Sequence, residues 1–508
     1  MKYVPEDTDF RSFIEELKKS SQIEFSEDLI DIISESGDMA GSPYAHWRWK
    51  KKFIADVVIW PEKEEEVVEI VKLANRFSVP ITPRGAGTCY FGSNNPTFGG
   101  IILDLKRMTN YNVNKDENKV ITQTGISFQT LNNNLIEDSF ELGGYPSSAL
   151  ASTIGGWVGT GGSHGIGTYH YGSFVDQILD MKVVNPMGDI QIVDSKKDID
   201  KFFGTCGIFG IITEISLKIY PCRKKKSLFI GYNKLNDLIS MIQKIKQMDN
   251  LYLISFTDKN YEMRNLNISN YNYYFFIVLI EGNETFSHSK EQIEKISKKY
   301  SGNLLSNEIS EQKWKAYLKQ ETKIKRDTPV LTLQSIKTNL ENCKDLIKNF
   351  EALAEKRILN HCIYGSINHD LSVRLLLITP TDNKKIYHFL ASKALSHRIV
   401  KNIYKTEKGE VYSYGLQNSI YLDKFESDKV EKWRKLKSDV DPNFIFNPLK
   451  LVETKTSYRR INTIFEMNLF WRKIAAKIKT AKRVNFPKDK SLSKKPEQTT
   501  LGKNLKSD

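Results

Sequence analysis

The sequence lacks three features that mark whole classes of protein: paired cysteines, long apolar runs and a leader-like beginning. The 508 residues include five cysteines, an odd number, widely spaced and without a CxxC pair. Neither a disulfide framework nor a zinc or iron–sulfur cluster is therefore predicted. No stretch approaches the roughly 18 apolar residues that a membrane-spanning helix needs. The first residues, MKYVPEDTDFRSF, contain early acidic residues and no apolar segment, so we expect a cytoplasmic location.

Positive charge is in excess, but most of it lies at one end of the chain. The formal net charge is +14, and residues 453–508 hold 15 Lys or Arg against 5 Asp or Glu. The remaining 452 residues therefore carry a net charge of only +4. Because the body of the protein is nearly balanced, we expect no nucleic-acid partner. Hydrophobic residues make up 40% of the chain, enough to form two or three packed units.

The pattern of apolar residues predicts an α+β protein with two main units. Strands and helices alternate from Phe53 onward, and after Pro221 the density of glycine drops while lysine and asparagine increase. The second unit combines strands such as LYLISF with amphipathic helices such as NCKDLIKNFEAL, which predicts a separate core. The predicted units are an N-terminal helical appendage (1–52), a first α/β domain (53–222), a second α+β domain (223–440), a C-terminal segment (441–452) and a basic tail (453–508).

Glycine is concentrated in one stretch of thirty residues. Ten of the 29 glycines lie in residues 143–172, and two smaller glycine motifs, PRGAGT at 83–88 and GTCGIFGIIT at 204–213, lie elsewhere. Glycine lets the main chain approach a large ligand closely, with amides that donate to anionic groups. The alternative is a flexible loop or a set of bulged hairpins. None of the three motifs fits G-x-G-x-x-G before a long helix and a distant acid, and no GKS or GKT occurs, which excludes a Rossmann site and a P-loop.

Four motifs in sequence order resemble the FAD-binding domain of the vanillyl-alcohol oxidase superfamily, the PCMH-type flavoproteins. They are WPEKEEEVVEIVKLANRFSVPITPRGAGT, STIGGWVGTGG, YHYGSFVDQILDMKVVNPMGDI and FGTCGIFGIITEISLKIYP. The later stretch LKSDVDPNFIFNPLKL is similar to the closing segment of that family. The resemblance implies an α+β fold with a two-subdomain PCMH-type FAD-binding domain over 53–222. It also implies an α+β cap domain, an antiparallel sheet with helices, over 223–440, and a segment 441–452 that returns to the flavin.

The resemblance also implies which residues hold FAD. Residues 83–88 resemble the pyrophosphate loop, where Arg84 would add a positive charge. Where many members attach the flavin covalently through a histidine, this chain has Thr88, and residues 159–167 contain no cysteine, so non-covalent FAD is expected. The implied FAD-binding residues are Pro83, Arg84, Gly85, Ala86, Gly87, Thr88, Pro146, Ser147, Ser152, Thr153, Gly155, Gly156, Gly159, Gly161, Gly162, Tyr171, Gly172, Gly207, Gly210, Ile212 and Asn447.

The second unit carries the candidate substrate residues. Residues 314–340 are similar to the cap of the D-2-hydroxyacid dehydrogenases, which implies hydride transfer from a hydroxy acid to FAD. The metal motif of that branch, His-x-Gly-Asp-Gly-Asn-x-His, is absent, and the nearest stretch is HCIYGSINHDLSVR, so no metal is predicted. Here we predict His369 as the general base and Arg374 as the carboxylate anchor; an exposed loop histidine and a solvated strand arginine are the alternatives. His164 and His170 could face the flavin or satisfy the backbone.

The sequence therefore predicts an FAD-dependent oxidoreductase that acts on the CH–OH group of a small 2-hydroxy acid or related alcohol. Its electron acceptor is unknown but is expected not to be nicotinamide. Two alternatives stay open: an FAD-dependent oxidase or dehydrogenase of a sugar, polyol or lipid-like alcohol, and a catalytically degraded flavin-binding subunit of a larger assembly.

The basic tail gives a separate indication about partners. Apolar residues from Ile464 to Ala481 step by three or four beside lysines and arginines, a pattern typical of a helix that contacts an anionic membrane or an acidic partner. A packed or frayed helix is the alternative. The expected location is thus cytoplasmic, or peripheral at the inner face of the membrane if the tail binds lipid.

Overall fold

The computed structural model describes residues 8–20, 23–39, 54–246, 248–281, 285–328, 330–382 and 386–452. The amphipathic helix predicted in the tail, 453–508, lies outside the described residues.

Helices and strands alternate through most of the described chain. The helices are α1 (Phe10–Lys19), α2 (Leu29–Glu35), α3 (Glu64–Arg76), α4 (Phe128–Glu137), α5 (Ile154–Gly159), α6 (Thr168–Tyr171), α7 (Lys196–Phe202), α8 (Leu235–Ile245), α9 (Lys259–Asn265), α10 (Thr285–Lys299), α11 (Asn307–Ala316), α12 (Gln320–Asp327), α13 (Leu340–Glu355), α14 (Ile386–Thr406), α15 (Gly415–Phe425) and α16 (Ser427–Val440). The strands are β1 (Glu24–Ser26), β2 (Val57–Trp60), β3 (Ile81–Arg84), β4 (Ile101–Asp104), β5 (Tyr111–Asn114), β6 (Lys119–Gln123), β7 (Phe140–Leu142), β8 (Ile178–Val184), β9 (Ile190–Val193), β10 (Ile211–Pro221), β11 (Lys225–Tyr232), β12 (Leu251–Asp258), β13 (Tyr273–Ile280), β14 (Asn303–Leu304), β15 (Val330–Asn339), β16 (Cys362–Ile367), β17 (Ser372–Thr381) and β18 (Glu410–Val411). None of the described helices is both long enough and apolar enough to cross a bilayer.

The first sheet holds one of the glycine motifs at the end of a buried strand. Its order is β1-β2-β4-β3, with β2, β4 and β3 parallel. Helix α3 connects β2 to β3 and fully buries an apolar stripe of Val67, Ile70, Val71 and Ala74. Burying one valine or isoleucine side chain stabilises a fold by about 1.5–3 kcal/mol. The loop 84–88 therefore begins from a rigid strand.

The second sheet carries the main glycine stretch. Its order is β5-β6-β10-β8-β9, and β7 pairs with β10. Strands β8 and β9 form a hairpin, in which Asn185 N donates to Asp189 O at 2.9 Å. Residues 143–172 run between β7 and β8 and contain α5 and α6. The ring of Trp157 packs edge-on against Phe128, with 5.0 Å between centroids, and this contact anchors the glycine stretch to the core.

The third sheet forms the cap predicted for the second half of the chain. Its eight strands are antiparallel in the order β14-β11-β13-β12-β16-β17-β15-β18. Helices α8, α13 and α14 cover one face with a large apolar cluster. On the other face, Tyr252 and Tyr364 share a buried cluster with Phe91 and Ile166 of the first half. The cleft between the two halves therefore has packed walls on both sides.

Helices α15 and α16, which lie in the predicted cap range 223–440, also contact the first half. Leu422 of α15 and Val430 of α16 are buried with Ile208 of the first half. Lys437 Nζ donates to the carbonyl oxygen of Ile208 at 2.6 Å. Helix α15 also packs on the cap, where its Ile420 and Tyr421 are buried with Val400 and Val411. The two helices therefore bridge the cap and the first half.

The N-terminal appendage packs against the first sheet through one helix. Helix α1 buries Phe13 and Leu17 in the core that also contains α3. Helix α2 buries Ile32, whereas Leu29 and Ile33 are 64% and 55% exposed. Helix α2 therefore contacts the first sheet mainly through Ile32.

Candidate functional site

A cleft lies where the glycine loops of the first half meet the cap. Its volume is about 1280 Å³ including its open mouth, which gives room for a large ligand. Most of the residues predicted to hold FAD line this cleft: Pro83, Arg84, Gly85, Ala86, Gly87, Thr88, Pro146, Ser147, Ser152, Thr153, Gly155, Gly156, Gly159, Gly162, Gly207, Gly210 and Ile212.

The loop after β3 carries a row of available backbone donors. Within the described residues, the N–H groups of Gly85, Ala86, Gly87 and Thr88 donate to no protein acceptor. Gly87 has a φ of +66°, a conformation that glycine adopts without strain. Successive backbone N–H groups in such a turn form a concave site for phosphate oxygens. The loop therefore has the donors that a pyrophosphate needs.

Two of the glycines show how tightly the loops are packed and where space is left. A Cβ atom at Gly85 would lie 2.1 Å from Thr153 Oγ1, and Thr153 is the N-cap of α5, where its hydroxyl accepts from Gly156 N at 3.2 Å. A Cβ atom at Gly159 would have no atom within 4 Å, although Gly159 lines the cleft. Gly85 therefore joins the two loops, and Gly159 borders open space.

Arg84 does not offer the free positive charge that the sequence suggested. Its guanidinium pairs with Glu35 at 2.5 Å, donates to the carbonyl oxygen of Gly37 at 2.6 Å, and the residue is only 7% exposed. A Cβ atom at Gly87 would lie 2.4 Å from Arg84 Nη2. The arginine thus supports the loop from behind, and its charge is neutralised by Glu35.

Residues far away in the sequence, on both the N-terminal and the C-terminal side, form hydrogen bonds with this loop and its strand. On the N-terminal side, Met39 N donates to Cys89 O at 2.9 Å. On the C-terminal side, Ile81 N donates to Ile445 O and Asn447 N donates to Ile81 O, each at 2.7 Å. The loop is therefore fixed by distant parts of the sequence as well as by its own strand.

Hydroxyl groups connect the first glycine loop to the second. Thr88 Oγ1 lies 2.9 Å from Ser152 Oγ, which lies 2.7 Å from Ser148 Oγ. Thr88 occupies the position that the resemblance assigns to a covalent histidine, and its side chain is part of this hydroxyl cluster.

Four predicted FAD-binding residues lie outside the lining of the cleft: Gly161, Tyr171, Gly172 and Asn447. Tyr171 stacks on Tyr220 with 4.0 Å between ring centroids. Asn447 Nδ2 donates to Cys206 O at 2.7 Å, and Lys450 Nζ donates to Asn447 Oδ1 at 3.0 Å. These residues support the walls of the cleft from behind.

The cap contributes Arg374, Tyr412 and Ser413 to the cleft. Arg374 Nε donates to Ser335 Oγ at 3.2 Å, and its Cζ atom lies 4.8 Å from the ring centroid of Tyr412. In the described part of the chain no carboxylate lies within 4.0 Å of this guanidinium. Its terminal N–H groups are thus available to an anionic ligand. Sequence reasoning missed Tyr412 and Ser413, whose only signal is the YSYG stretch before α15.

His369 lies outside the cleft. It is exposed on the turn between β16 and β17, and its Nδ1 atom is 3.1 Å from the carbonyl oxygen of Tyr169. A general base must reach the proton it removes within hydrogen-bond distance, so this position does not support the predicted role. The alternative, an exposed loop histidine, fits it.

His164 and His170 do not line the cleft either, but His164 lies directly behind it. The residue is 2% exposed, and its backbone N–H donates to the phenol oxygen of Tyr412 at 2.8 Å. Burial, and next the nearby Arg374, lower the pKa of His164 to about 3. Its imidazole is therefore neutral at physiological pH. His170 packs edge-on against Tyr171, with 4.7 Å between centroids.

Two cysteines also line the cleft, Cys89 and Cys206, and neither forms a disulfide. Cys89 Sγ lies 3.1 Å from Ser93 Oγ. Burial, and next the Asp38 carboxylate, raise the pKa of Cys89 to about 12, and burial also raises the pKa of Cys206. Both thiols are therefore protonated and weakly nucleophilic at neutral pH.

The residues of the cleft fit FAD. The free amides of the loop 84–88 suit the pyrophosphate, and the open space beside Gly159 leaves room for a flat ring. Ile212 and Phe202 add apolar surface, on which planar rings pack well. In the described residues no group of three or more His, Cys, Asp or Glu side chains is placed to hold a metal ion.

Comparison with known proteins identifies the first half of the chain. Residues 55–194 match the family model described as an FAD binding domain. The glycolate oxidase subunit GlcD of Bacillus subtilis is 26% identical over 430 residues, which cover 78% of this chain and 88% of that protein. A D-lactate dehydrogenase of Anaerostipes hadrus is 32% identical, with 37% of this chain and 41% of that protein covered. An alkyldihydroxyacetonephosphate synthase of Trypanosoma brucei brucei is 30% identical over 34% of this chain, and the match spans only 30% of that protein.

Solved structures share the fold across both halves. An alkyldihydroxyacetonephosphate synthase superimposes with a TM-score of 0.68 at 20% identity, covering 89% of this chain and 86% of that one. A p-cresol methylhydroxylase superimposes with a TM-score of 0.76 at 14% identity, covering 89% of this chain and 98% of that one. These structures confirm the predicted α+β fold, and the domain match confirms the predicted FAD cofactor. The chain therefore carries an FAD-binding domain at residues 55–194, shares its overall fold with these solved structures, and is an FAD-dependent oxidoreductase.

Proposed function

We propose that this protein oxidises a small 2-hydroxy acid, or a related alcohol, with non-covalent FAD as the hydride acceptor. The observation that carries the proposal is the guanidinium of Arg374, which lines the cleft without a carboxylate partner in the described residues. An unpaired arginine beside a redox cofactor suits a substrate with a carboxylate, because its planar fork binds both oxygens at once.

The side chains around Arg374 supply the other requirements of such a reaction. When bound, FAD accepts a hydride from the substrate carbon. Tyr412, whose ring centroid lies 4.8 Å from Arg374 Cζ, adds an aromatic wall to the same part of the cleft. Tyr90 and Phe91 add apolar surface to the cleft, which excludes water from the reacting groups.

Relatives support this substrate class and also indicate a second one. The proteins named glycolate oxidase subunit and D-lactate dehydrogenase are similar to this chain, and both names denote hydroxy acids. The likeness to alkyldihydroxyacetonephosphate synthase in sequence and fold favours, as the second candidate, a lipid-like alcohol or its phosphate ester. A guanidinium binds a phosphate as readily as a carboxylate.

Anaerobic reduction of the bound flavin tests the proposal. Loss of flavin absorbance with glycolate or D-lactate, and not with glucose or glycerol, is the expected result. Reduction only by long-chain alcohols or phosphate esters would favour the second candidate. A flavin that none of these compounds reduces would contradict both and indicate a degraded subunit. Acid precipitation should release the flavin into the supernatant, since the attachment is proposed to be non-covalent.

An arginine variant tests the anchor. Arg374→Ala should raise the KM for the hydroxy acid by about tenfold to 150-fold, the effect of losing one charged hydrogen-bonded contact of about 1.5–3 kcal/mol. Lys337→Met is the matched control, because Lys337 is the neighbouring cation opposite Arg374 in the β15–β17 pairing and does not line the cleft. Equal effects of the two variants would contradict the proposed anchor. The electron acceptor, the cytoplasmic location and a partner of the tail stay predictions from the sequence.

A further inference from the structure

Three hydrogen bonds hold the phenol oxygen of Tyr412 at the wall of the cleft. The oxygen accepts from Ser163 N at 2.5 Å, from His164 N at 2.8 Å and from Ser163 Oγ at 3.2 Å. Tyr412 lines the cleft, whereas Ser163 and His164 do not. Because the three donors belong to two adjacent residues, they approach the oxygen from one side. The phenol therefore lies between these two residues and the cleft.

These hydrogen bonds leave the Tyr412 hydroxyl with a single role. A phenol oxygen has two acceptor positions and one proton, and the donors from residues 163 and 164 fill the acceptor positions. In the described part of the chain, no protein acceptor is paired with the Tyr412 proton. The hydroxyl can therefore only donate, and the side of its oxygen that residues 163 and 164 leave open faces the cleft.

Ser335 holds Tyr412 and Arg374 in a fixed relation to each other. Arg374 Nε donates to Ser335 Oγ at 3.2 Å, and Tyr412 N donates to Ser335 O at 2.9 Å. Ser335 is fully buried in β15, which lies between β17, the strand of Arg374, and β18, the strand that precedes Tyr412. Both cleft-facing donors are thus anchored to the same residue of a central strand.

The lining of the cleft favours an anion beside these two donors. Among the described residues that line it there is no Asp or Glu. The two arginines of the lining differ, because Arg84 is paired with Glu35 whereas Arg374 has no carboxylate partner in the described residues. The Arg374 Cζ atom lies 4.8 Å from the ring centroid of Tyr412. A positive charge and a neutral hydroxyl donor therefore lie side by side, with no acid to compete for them.

We propose that the Tyr412 hydroxyl donates to the carboxylate of the hydroxy acid that Arg374 binds, so that the two residues form one anchor. The inference rests on the proposed function, which supplies the carboxylate. Hydrogen bonds to an ionised acceptor are roughly twice as strong as those between neutral groups. A carboxylate held by two donors from a rigid sheet has one orientation, which in turn positions the neighbouring C–H bond of the substrate.

Binding of oxalate, a dicarboxylate, to the FAD-loaded protein tests the anchor without turnover. The change in flavin absorbance on titration gives the Kd. Tyr412→Phe removes only the hydroxyl and should raise the Kd for oxalate about tenfold to 150-fold, the effect of losing one hydrogen bond to a charged group. Tyr414→Phe is the matched control, because the Tyr414 hydroxyl donates to Glu426 at 2.8 Å and does not line the cleft. It should bind oxalate as the wild type does.

Two further measurements separate binding of the carboxylate from support of the wall, because Tyr412→Phe also removes an acceptor from two backbone N–H groups. The Kd for FAD should stay at the wild-type value in Tyr412→Phe. In an Arg374→Ala background the same change should raise the Kd for oxalate by a much smaller factor, on the order of threefold or less, because residues that bind one group are coupled. An equal factor in both backgrounds would overturn the shared anchor.

The remaining outcomes distinguish this inference from the proposed function. A wild-type protein that binds no oxalate, or a Tyr412→Phe variant that binds it equally well, would overturn the anchor alone, provided that hydroxy acids reduce the wild-type flavin. A Kd for FAD that rises as much as the Kd for oxalate would show that the phenol only supports the wall, and would overturn the anchor as well. Wild-type flavin that no hydroxy acid reduces would overturn the proposed function, and with it the source of the carboxylate.

Discussion

Replacing Gly85 with alanine should weaken FAD binding, because the new methyl group pushes apart the two loops that form the cleft. A Cβ atom at this position would lie 2.1 Å from Thr153 Oγ1 and 3.3 Å from Thr153 Cβ. Comfortable contacts between such atoms need about 3.5 Å, so the loops must separate by roughly 1 Å. Overpacking of this kind costs about 1–3 kcal/mol. If the cost falls on the bound state, the Kd for FAD rises about fivefold to 150-fold.

A second substitution identifies the clash as the cause. Thr153→Ala removes Oγ1 and costs about 1 kcal/mol through the lost helix cap. In Gly85→Ala with Thr153→Ala the remaining neighbour is the Cβ atom at 3.3 Å. The double variant should therefore bind FAD more tightly than Gly85→Ala alone, a coupling that independent sites would not show.

Fluorescence titration of the apoprotein with FAD gives the Kd of all four proteins. Gly37→Ala is the control, because a Cβ atom at Gly37 has nothing within 4 Å, and its Kd should equal that of the wild type. The reasoning is refuted if Gly85→Ala binds FAD normally, or if Thr153→Ala adds to the loss.

Three further changes test the cleft and the buried charges. Gly159→Leu fills the open space in the cleft, so FAD binding should fall more than about tenfold while thermal unfolding of the apoprotein is unchanged; an unchanged Kd would show that the space is not used. Lys313→Met leaves Glu262, its fully buried partner, without a counter-charge, and urea titration should show the free energy of unfolding reduced by about 3–5 kcal/mol. Adding Glu262→Gln should recover part of that loss, and no recovery would argue against the unpaired charge as its cause. Burial raises the pKa of Asp258 to about 7 in the folded state, whereas in the unfolded state this carboxyl releases its proton above about pH 4. The free energy of unfolding therefore falls as the pH rises from about 4 to 7. Asp258→Asn should therefore stabilise the protein more at pH 8 than at pH 5, on the order of 1–3 kcal/mol, and equal effects at both pH values in urea titrations would contradict this.

The elements that sequence patterns predicted best are those with a clear period. The apolar residues of α3 recur every three or four positions, and all four are buried on one side of the helix. The continuous apolar run LYLISF predicted a strand, and β12 is buried along its whole length. The glycine motifs predicted a shared site, because glycine is needed where the main chain lies very close to a ligand or to another loop. The cleft indeed brings together loops that lie more than a hundred residues apart.

Roles that depend on partners distant in the sequence could not be predicted. Arg84 follows a strand and precedes glycines, a typical phosphate site, but Glu35 of the appendage takes its charge. His369 and Arg374 lie only five residues apart, and the turn between their strands exposes one while the other faces the cleft. Tyr412 enters the cleft because β18 pairs with β15, a pairing of two residues that leaves almost no pattern in the sequence.

The hydrogen bonds that hold the loop 84–88 and its strand to Met39, Ile445 and Asn447 have a consequence for biosynthesis. The strand that begins the loop is paired by Ile445 and Asn447, which the ribosome adds only after the whole cap has been made. Domains translated early usually fold as they emerge, but here the early domain stays incomplete until late residues arrive. Flavin capture is therefore a late event in the life of each nascent polypeptide, and a prematurely terminated product would be released without its cofactor.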